Sequence, residues 1–252
     1  MKFHFVTSRT EAAIQAGRKL IKKYGQTSSD ETDVIVVLGG DGTMLRVLRD
    51  FMNSNIPIYG MNRGSVGFLM NKYKENKLSK RIAAARKEEI HPLRMIAESE
   101  LTGRIEALAI NEISLFRQSY QAAKIKISVD KRVRMDELIC DGIMVATPAG
   151  STAYNLSSHG PILPLIAPLM ALTPVSPFRP RRWHGALLPN NVTVRFDLLE
   201  SKKRPVNVAA DNVEVKSIYS VIINSAMDVK GCILFDSNHS WDERILSEQF
   251  RY

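Results

Sequence analysis

"VIVVLGGDGTMLRVLRDFMN" occupies residues 34–53. Its first five residues are all apolar, the pattern of a parallel strand buried on both faces. Gly39, Gly40 and Gly42 follow, with Asp41 among them. Beyond them Met44, Leu45, Val47, Leu48, Phe51 and Met52 recur at helical spacing, while Arg46, Arg49 and Asp50 face elsewhere. The stretch therefore predicts strand, glycine turn and helix, and the carboxyl end of a parallel strand is where α/β proteins place ligands. The glycines permit positive φ and close approach. The helix start offers unpaired N–H groups that suit phosphate. A carboxylate there repels phosphate unless a cation intervenes or a proton is to be removed. Asp41 thus reads as the acceptor of a proton from a hydroxyl nucleophile, or as the holder of a divalent metal carried by a triphosphate. Both imply phosphoryl transfer. The plainer alternative is an Asp that caps its own turn. No G-x-x-x-x-G-K-[ST] is present, and Leu45 stands where the last glycine of G-x-G-x-x-G would be, which disfavours a P-loop and a dehydrogenase.

Outward from this turn, residues 1–90 alternate strand and helix patterns. Residues 3–8 predict a strand. Residues 9–25 predict a helix with Ala13, Ala16, Leu20 and Ile21 on its apolar stripe and Gly25 at its end. Residues 56–62 predict the next strand, and 74–89 a surface helix. From His91 the helical periodicity largely stops. Strand-like segments follow at 93–100, 104–117, 123–130, 132–139, 141–148, 191–199, 205–211, 213–226 and 231–236, with a hairpin turn at 129–132. The Pro-rich stretch 157–177 predicts loop and a short helix. The fold class expected is an α/β N-terminal domain (parallel sheet with helices) over 1–90 and a β-rich C-terminal domain over 91–236. The tail, 237–252, is expected to pack back on the first domain.

Composition narrows the function classes. The chain has 252 residues, 35 Lys and Arg against 26 Asp and Glu, and a net charge of +9. Its basic clusters are short (131–134, 179–182, 202–204) and lack interleaved aromatics, so nucleic acid is not the expected partner. No apolar run approaches a membrane span, and the first residues lack a signal-peptide pattern. Two cysteines, Cys140 and Cys232, favour a reducing cytoplasm. The five histidines make no metal-ligand spacing, and Ser151 lacks the G-x-S-x-G context of a hydrolase.

"GGDGT" (39–43), "NRGSVGFL" (62–69), "NE" (111–112) and "DGIMVATPAGSTAYN" (141–155) occur in this order, and together they resemble the NAD kinase family. The likeness spans about residues 34–215. The resemblance implies phosphorylation of the adenosine ribose 2′-hydroxyl of NAD, with ATP or another triphosphate and Mg2+. It also implies an α/β N-terminal domain, a β-rich NAD-binding domain, and homodimers or homotetramers. By the resemblance Asp41 is the catalytic aspartate, and Gly39, Gly40, Gly42, Thr43 and Arg46 form the phosphate loop. Phe68 closes over the adenine-ribose end. Asn111 and Glu112 hold adenine or ribose polar edges. Asp141 serves the nicotinamide end of NAD, in its own or a neighbouring subunit's site. Thr152, Ala153 and Tyr154 form the adenine-binding turn, with Ser157 a further contact and Ala171 and Thr173 looser transfers. Asp211 matches an acidic turn. Asn155 and His159 depart from the family pattern and bear on the nicotinamide end.

The residue types agree with these roles. An Asn amide supplies one donor and one acceptor to an adenine edge, and Glu112 can accept from a ribose hydroxyl. The small residues of 147–155 let backbone run close to a flat base, and Tyr154 can pack on a ring. Arg63, beside Gly64 and Gly67, suits a phosphate-facing loop. Two alternatives stand beside this reading: a lipid kinase of the diacylglycerol or sphingosine type, which shares "GGDGT", and a non-catalytic NAD(P) sensor.

Overall fold

Strands β1 (Phe3–Thr7) and β2 (Val34–Gly39) lie parallel, Phe3 opposite Val34 and Thr7 opposite Leu38. Between them α1 (Glu11–Tyr24) starts at Thr10, whose hydroxyl accepts from the Ala13 amide, and stops at Gly25, where φ is 80°. Its buried stripe is Ala13, Ala16, Gly17 and Leu20, small enough to bring the helix close to the sheet. Helix α2 (Asp41–Asp50) follows β2 at once and buries Met44, Val47 and Leu48. β3 (Ile58–Asn62) returns parallel to β2. Every residue of β2 is buried, as its unbroken apolar run requires. Next come α3 (Leu78–Ala83) and β4 (Arg86–Ile90). These two replace the single helix expected over 74–89.

The chain then builds a second unit, His91–Asp228. Its elements are β5 (Leu93–Ser99), β6 (Gly103–Ala109), β7 (Glu112–Arg117), β8 (Ala123–Val129), β9 (Arg132–Cys140) and β10 (Gly142–Ala146). A 3₁₀ turn at Ala149–Thr152 leads into α4 (Tyr154–Ser157). After it come β11 (Leu169–Val175), β12 (Ala186–Pro189), β13 (Val194–Leu198), β14 (Val206–Ala210), β15 (Val213–Val215) and β16 (Ile218–Ser225). They form two six-stranded antiparallel sheets, β12-β11-β10-β7-β14-β15 and β6-β5-β16-β13-β8-β9. One core joins them, with Ile113, Leu115, Ile143, Val145 and Val208 from the first and Met95, Ile125, Phe196 and Val221 from the second. Strands such as β5 and β14 alternate buried and half-buried residues, as a one-sided sheet demands.

The last described strand, β17 (Gly231–Phe235), joins the sheet of the first unit. That sheet runs β1-β2-β3-β17-β4, with β17 parallel to β3 and antiparallel to β4. It is therefore mixed, and the segment 231–236, expected with the β-rich domain, belongs to the α/β layer. Residues 86–90 become strand because Arg86 to Ile90 pair with Phe235 to Gly231 at the sheet edge. Their charged sequence suits an edge strand. The first unit has its own core of Phe3, Phe5, Leu20, Val36, Leu38, Tyr59 and Leu234 among others.

The Pro-rich stretch contains β11 in place of a short helix. Pro174 is tolerated there because β12 pairs only with Leu169–Leu172, so the proline ring faces Gly185, beyond the end of the ladder. The computed structural model describes residues 1–64, 67–181 and 183–237, so the tail expected to pack on the first domain lies, beyond Ser237, outside the described residues. Among the described residues no helix is long and apolar enough to cross a membrane.

Candidate active site

The first unit presents the glycine-aspartate turn at the end of β2. None of Gly39, Gly40 and Gly42 has positive φ, so their value is space rather than backbone freedom. Among the described residues a Cβ on Gly40 or Gly42 would meet nothing within 4 Å, whereas one on Gly39 would lie 2.8 Å from Thr43 Oγ1. Gly40 caps α2, and Asp41 is its first residue. The Asp41 carboxylate accepts from the backbone amides of Phe68 (2.7 Å) and Leu69 (3.0 Å). Two loops far apart in sequence thereby fix the orientation of one side chain. Gly67 is needed for this approach, since its Cβ would stand 2.9 Å from Asp41 Oδ1. The Arg63 guanidinium lies over the Tyr73 ring at 4.5 Å and donates to Ala12 O at 3.3 Å. Arg46 pairs at 3.8 Å with Asp50 along α2. Both arginines thus have partners away from the turn.

The second unit presents a different carboxylate turn. β7 begins at Glu112, and β14 ends beside it, Ala210 opposite Ile113. Asp211, at φ 48°, accepts the amides of Ile110 (2.8 Å), Asn111 (3.0 Å) and Glu112 (3.4 Å). Its own amide donates to Glu112 O at 3.2 Å. Asp211 thus builds the turn that carries Asn111 and Glu112. Glu112 is largely buried, and its Oε2 has no partner among the described residues. Burial, and secondly the negative charge of Asp211, push its carboxyl up to about 7.

The segment 147–155 is fastened to the same turn. Thr147 Oγ1 donates to Ile110 O (2.7 Å) and accepts from the Gly150 amide (3.0 Å), while the Thr147 amide donates to Asn111 O (2.9 Å). A Cβ on Gly150 would fall 2.1 Å from Asn111 O, so only glycine permits this contact. Asn155, fully buried, donates to Ser151 O and Pro161 O and accepts from the Thr173 hydroxyl at 2.6 Å. The half-exposed Tyr154 ring packs on Phe116, centroids 5.6 Å apart. Thr152 closes the 3₁₀ turn, Ala153 caps α4, and Ser157 is exposed at the end of α4. Asp141 is held by Arg117 Nε at 2.5 Å, at the opposite end of β10 from Thr147.

Two expected contacts turn inward. Ala171 is fully buried against Ala146 and Leu163, and the buried Thr173 hydroxyl is taken by Asn155. Both side chains therefore support the Tyr154 segment from beneath. Thr147, Gly150 and Asn71 organise these turns without any local sequence signature, because their partners are remote in sequence.

Comparison with known proteins places both units. The model of the ATP-NAD kinase N-terminal domain matches residues 5–90, and that of the ATP-NAD kinase C-terminal domain matches residues 110–217. The chain belongs to the NAD kinase family. An NAD kinase of Brucella suis is 64% identical over 252 residues, covering 100% of this chain and 98% of that protein. One of Mesorhizobium japonicum is 60% identical over 248 residues, covering 98% and 96%. Among solved structures, yeast NADH kinase complexed with NADH aligns with a TM-score of 0.85 at 20% identity, covering 100% of this chain and 89% of that one. An Archaeoglobus fulgidus NAD kinase in complex with ATP gives 0.78 at 24%, covering 98% of each. At those identities the structures speak for the NAD kinase fold alone. The family is one of phosphoryl-transferring kinases, and neither the lipid kinase nor the sensor alternative gains support from these matches.

Proposed function

We propose that this protein transfers the γ-phosphoryl of ATP, or of another phosphoryl donor, to the 2′-hydroxyl of the adenosine ribose of NAD, giving NADP. The observation that carries the reading is the Asp41 carboxylate, oriented by the Phe68 and Leu69 amides beside the open space over Gly40 and Gly42. Asp41 accepts the proton of the 2′-hydroxyl as the phosphoryl group arrives. Thr43 and the amides at the start of α2 face the phosphates. Asn111 pairs with the adenine edge, Glu112 accepts from a ribose hydroxyl, and Tyr154 with Thr152 and Ala153 lines the adenosine. Phe68 closes over its ribose end, and Ser157 and Asp141 serve the rest of the dinucleotide. Most of the acceleration comes from alignment and charge neutralisation, as is general for phosphoryl transfer.

Among the described residues no group of three His, Cys, Asp or Glu could hold a metal. A lone carboxylate beside a glycine turn suits a divalent ion, Mg2+, that arrives on the triphosphate as part of the donor. The excess of positive charge suits two polyanionic substrates. Two buried free cysteines suit a reducing cytoplasm, and a homodimer or homotetramer is the assembly the family resemblance carries.

The test is purified protein with NAD, Mg2+ and a panel of donors including ATP and polyphosphate, NADP being read by a coupled dehydrogenase. Formation of NADP with at least one donor is expected. Tight NAD binding with no NADP from any donor overturns the proposal.

A further inference from the structure

Asn71 stands two residues beyond Leu69 and is fully buried. Its Nδ2 donates to Gly60 O (3.1 Å) on β3 and Leu234 O (2.8 Å) on β17, and its Oδ1 accepts the Asp236 amide (2.8 Å). Two carbonyls and one N–H face the amide group, so its orientation is chemically unambiguous. The Asn71 backbone adds two more bonds, its N–H to Gly60 O and its carbonyl from the Asn62 amide, both 2.8 Å. The far end of this clamp is itself fixed. Asp236 accepts the Tyr59 hydroxyl and Arg81 Nη2, each at 2.6 Å. Between the clamp and Asp41, Met70 packs where a Cβ on Gly60 would be 2.6 Å from its sulfur, and Leu69 is buried. The two amides that hold Asp41 therefore belong to a loop pinned to the centre of the sheet immediately after them.

Resting on the reading of Asp41 as proton acceptor, we propose that Asn71 is a positioning residue for Asp41. It locks the Phe68 and Leu69 amides in place, and through them the direction in which the carboxylate faces the hydroxyl. An apolar side chain here would leave Leu234 O and the Asp236 amide without this partner in the interior, and the loop would shift to find others. A displacement of about 1 Å in a reacting group costs on the order of 100-fold in rate.

The experiment is a double-mutant cycle of Asn71→Ala and Asp41→Asn, with turnover expressed per folded molecule from circular-dichroism melts. Asn71→Ala is expected to lower kcat roughly 30-fold, with KM for NAD changed less than about 3-fold, because the dinucleotide is held by other residues. In the Asp41→Asn background the same change is expected to cost nothing further. Full kcat per folded molecule, a rise in KM with kcat unchanged, or an equal loss in both backgrounds overturns the proposal. If Asn71→Ala does not fold, Asn71→Ser, which keeps a hydroxyl for one partner, is read by the same criteria. Wild-type turnover in Asp41→Asn alone refutes the proton-acceptor reading instead, so the two failures are distinguishable.

Discussion

Asp41 and Glu112 both begin a regular element at a turn, yet their surroundings are opposite. Asp41 starts a helix at a glycine turn, and two backbone amides from a distant loop grip its oxygens. Glu112 starts a strand and is largely buried, and its Oε2 has no partner among the described residues, while Asp211 takes the nearby amides. The first arrangement holds a carboxylate in one direction and leaves it reachable. The second largely buries a carboxyl, and burial pushes it up to about 7. Two acids of the same chemistry thus sit in opposite environments, and under the proposed function these suit separate tasks, one to accept a proton and one to bind in a pH-dependent way.

The sharpest way to break this contrast is Asp41→Asn. Turnover is expected to fall by at least ~100-fold, the scale of general-base loss, with KM for NAD little changed. Near-wild-type kcat in steady-state assays would show that Asp41 holds no proton in the reaction. Next in size is Gly150→Ala. The new methyl would meet the Asn111 carbonyl, a backbone atom that cannot swing aside. A loss of about 1–3 kcal/mol in denaturant melts is expected, with a rise of 10-fold or more in KM for NAD and kcat less affected. The same substitution at Gly67 presses on Asp41 and is expected to lower kcat, with KM spared. An identical kinetic pattern at both glycines would erase the division of labour.

Asp211→Ala tests the second turn from beneath. Three amides lose a charged acceptor, so roughly a 10-fold weaker NAD affinity by calorimetry is expected. Unchanged affinity would mean that the turn holds without it. Glu112→Gln tests the buried carboxyl itself through its pH dependence. Between about 4.5 and 7 the unfolded chain has lost the Glu112 proton while the folded chain keeps it. Stability therefore falls as pH rises across this window and is level above it. Glu112→Gln removes that slope, worth at most about 3 kcal/mol, and flattens the pH dependence of NAD affinity near 7. Parallel melts of both proteins at pH 5 and 8 read it, and equal slopes would show that burial does not govern this group.

The amino-acid sequence by itself determined the strand, turn and helix around Asp41, because periodicity and glycine spacing are local properties. It also marked nearly every strand of the second unit and placed Asn111, Glu112 and the 147–155 segment in one ordered set of motifs. Only the tertiary structure decided that residues 86–90 form a strand, that β17 returns to the first sheet, and that Pro174 lies within β11. Each depends on a partner strand that local pattern cannot see. The same holds for the Asp211 turn, the Thr147 bridge and the Asn71 clamp. Hydrogen bonds between residues remote in sequence carry no periodic signature, and an Asn or Thr that serves them looks like any other polar residue until the chain has folded.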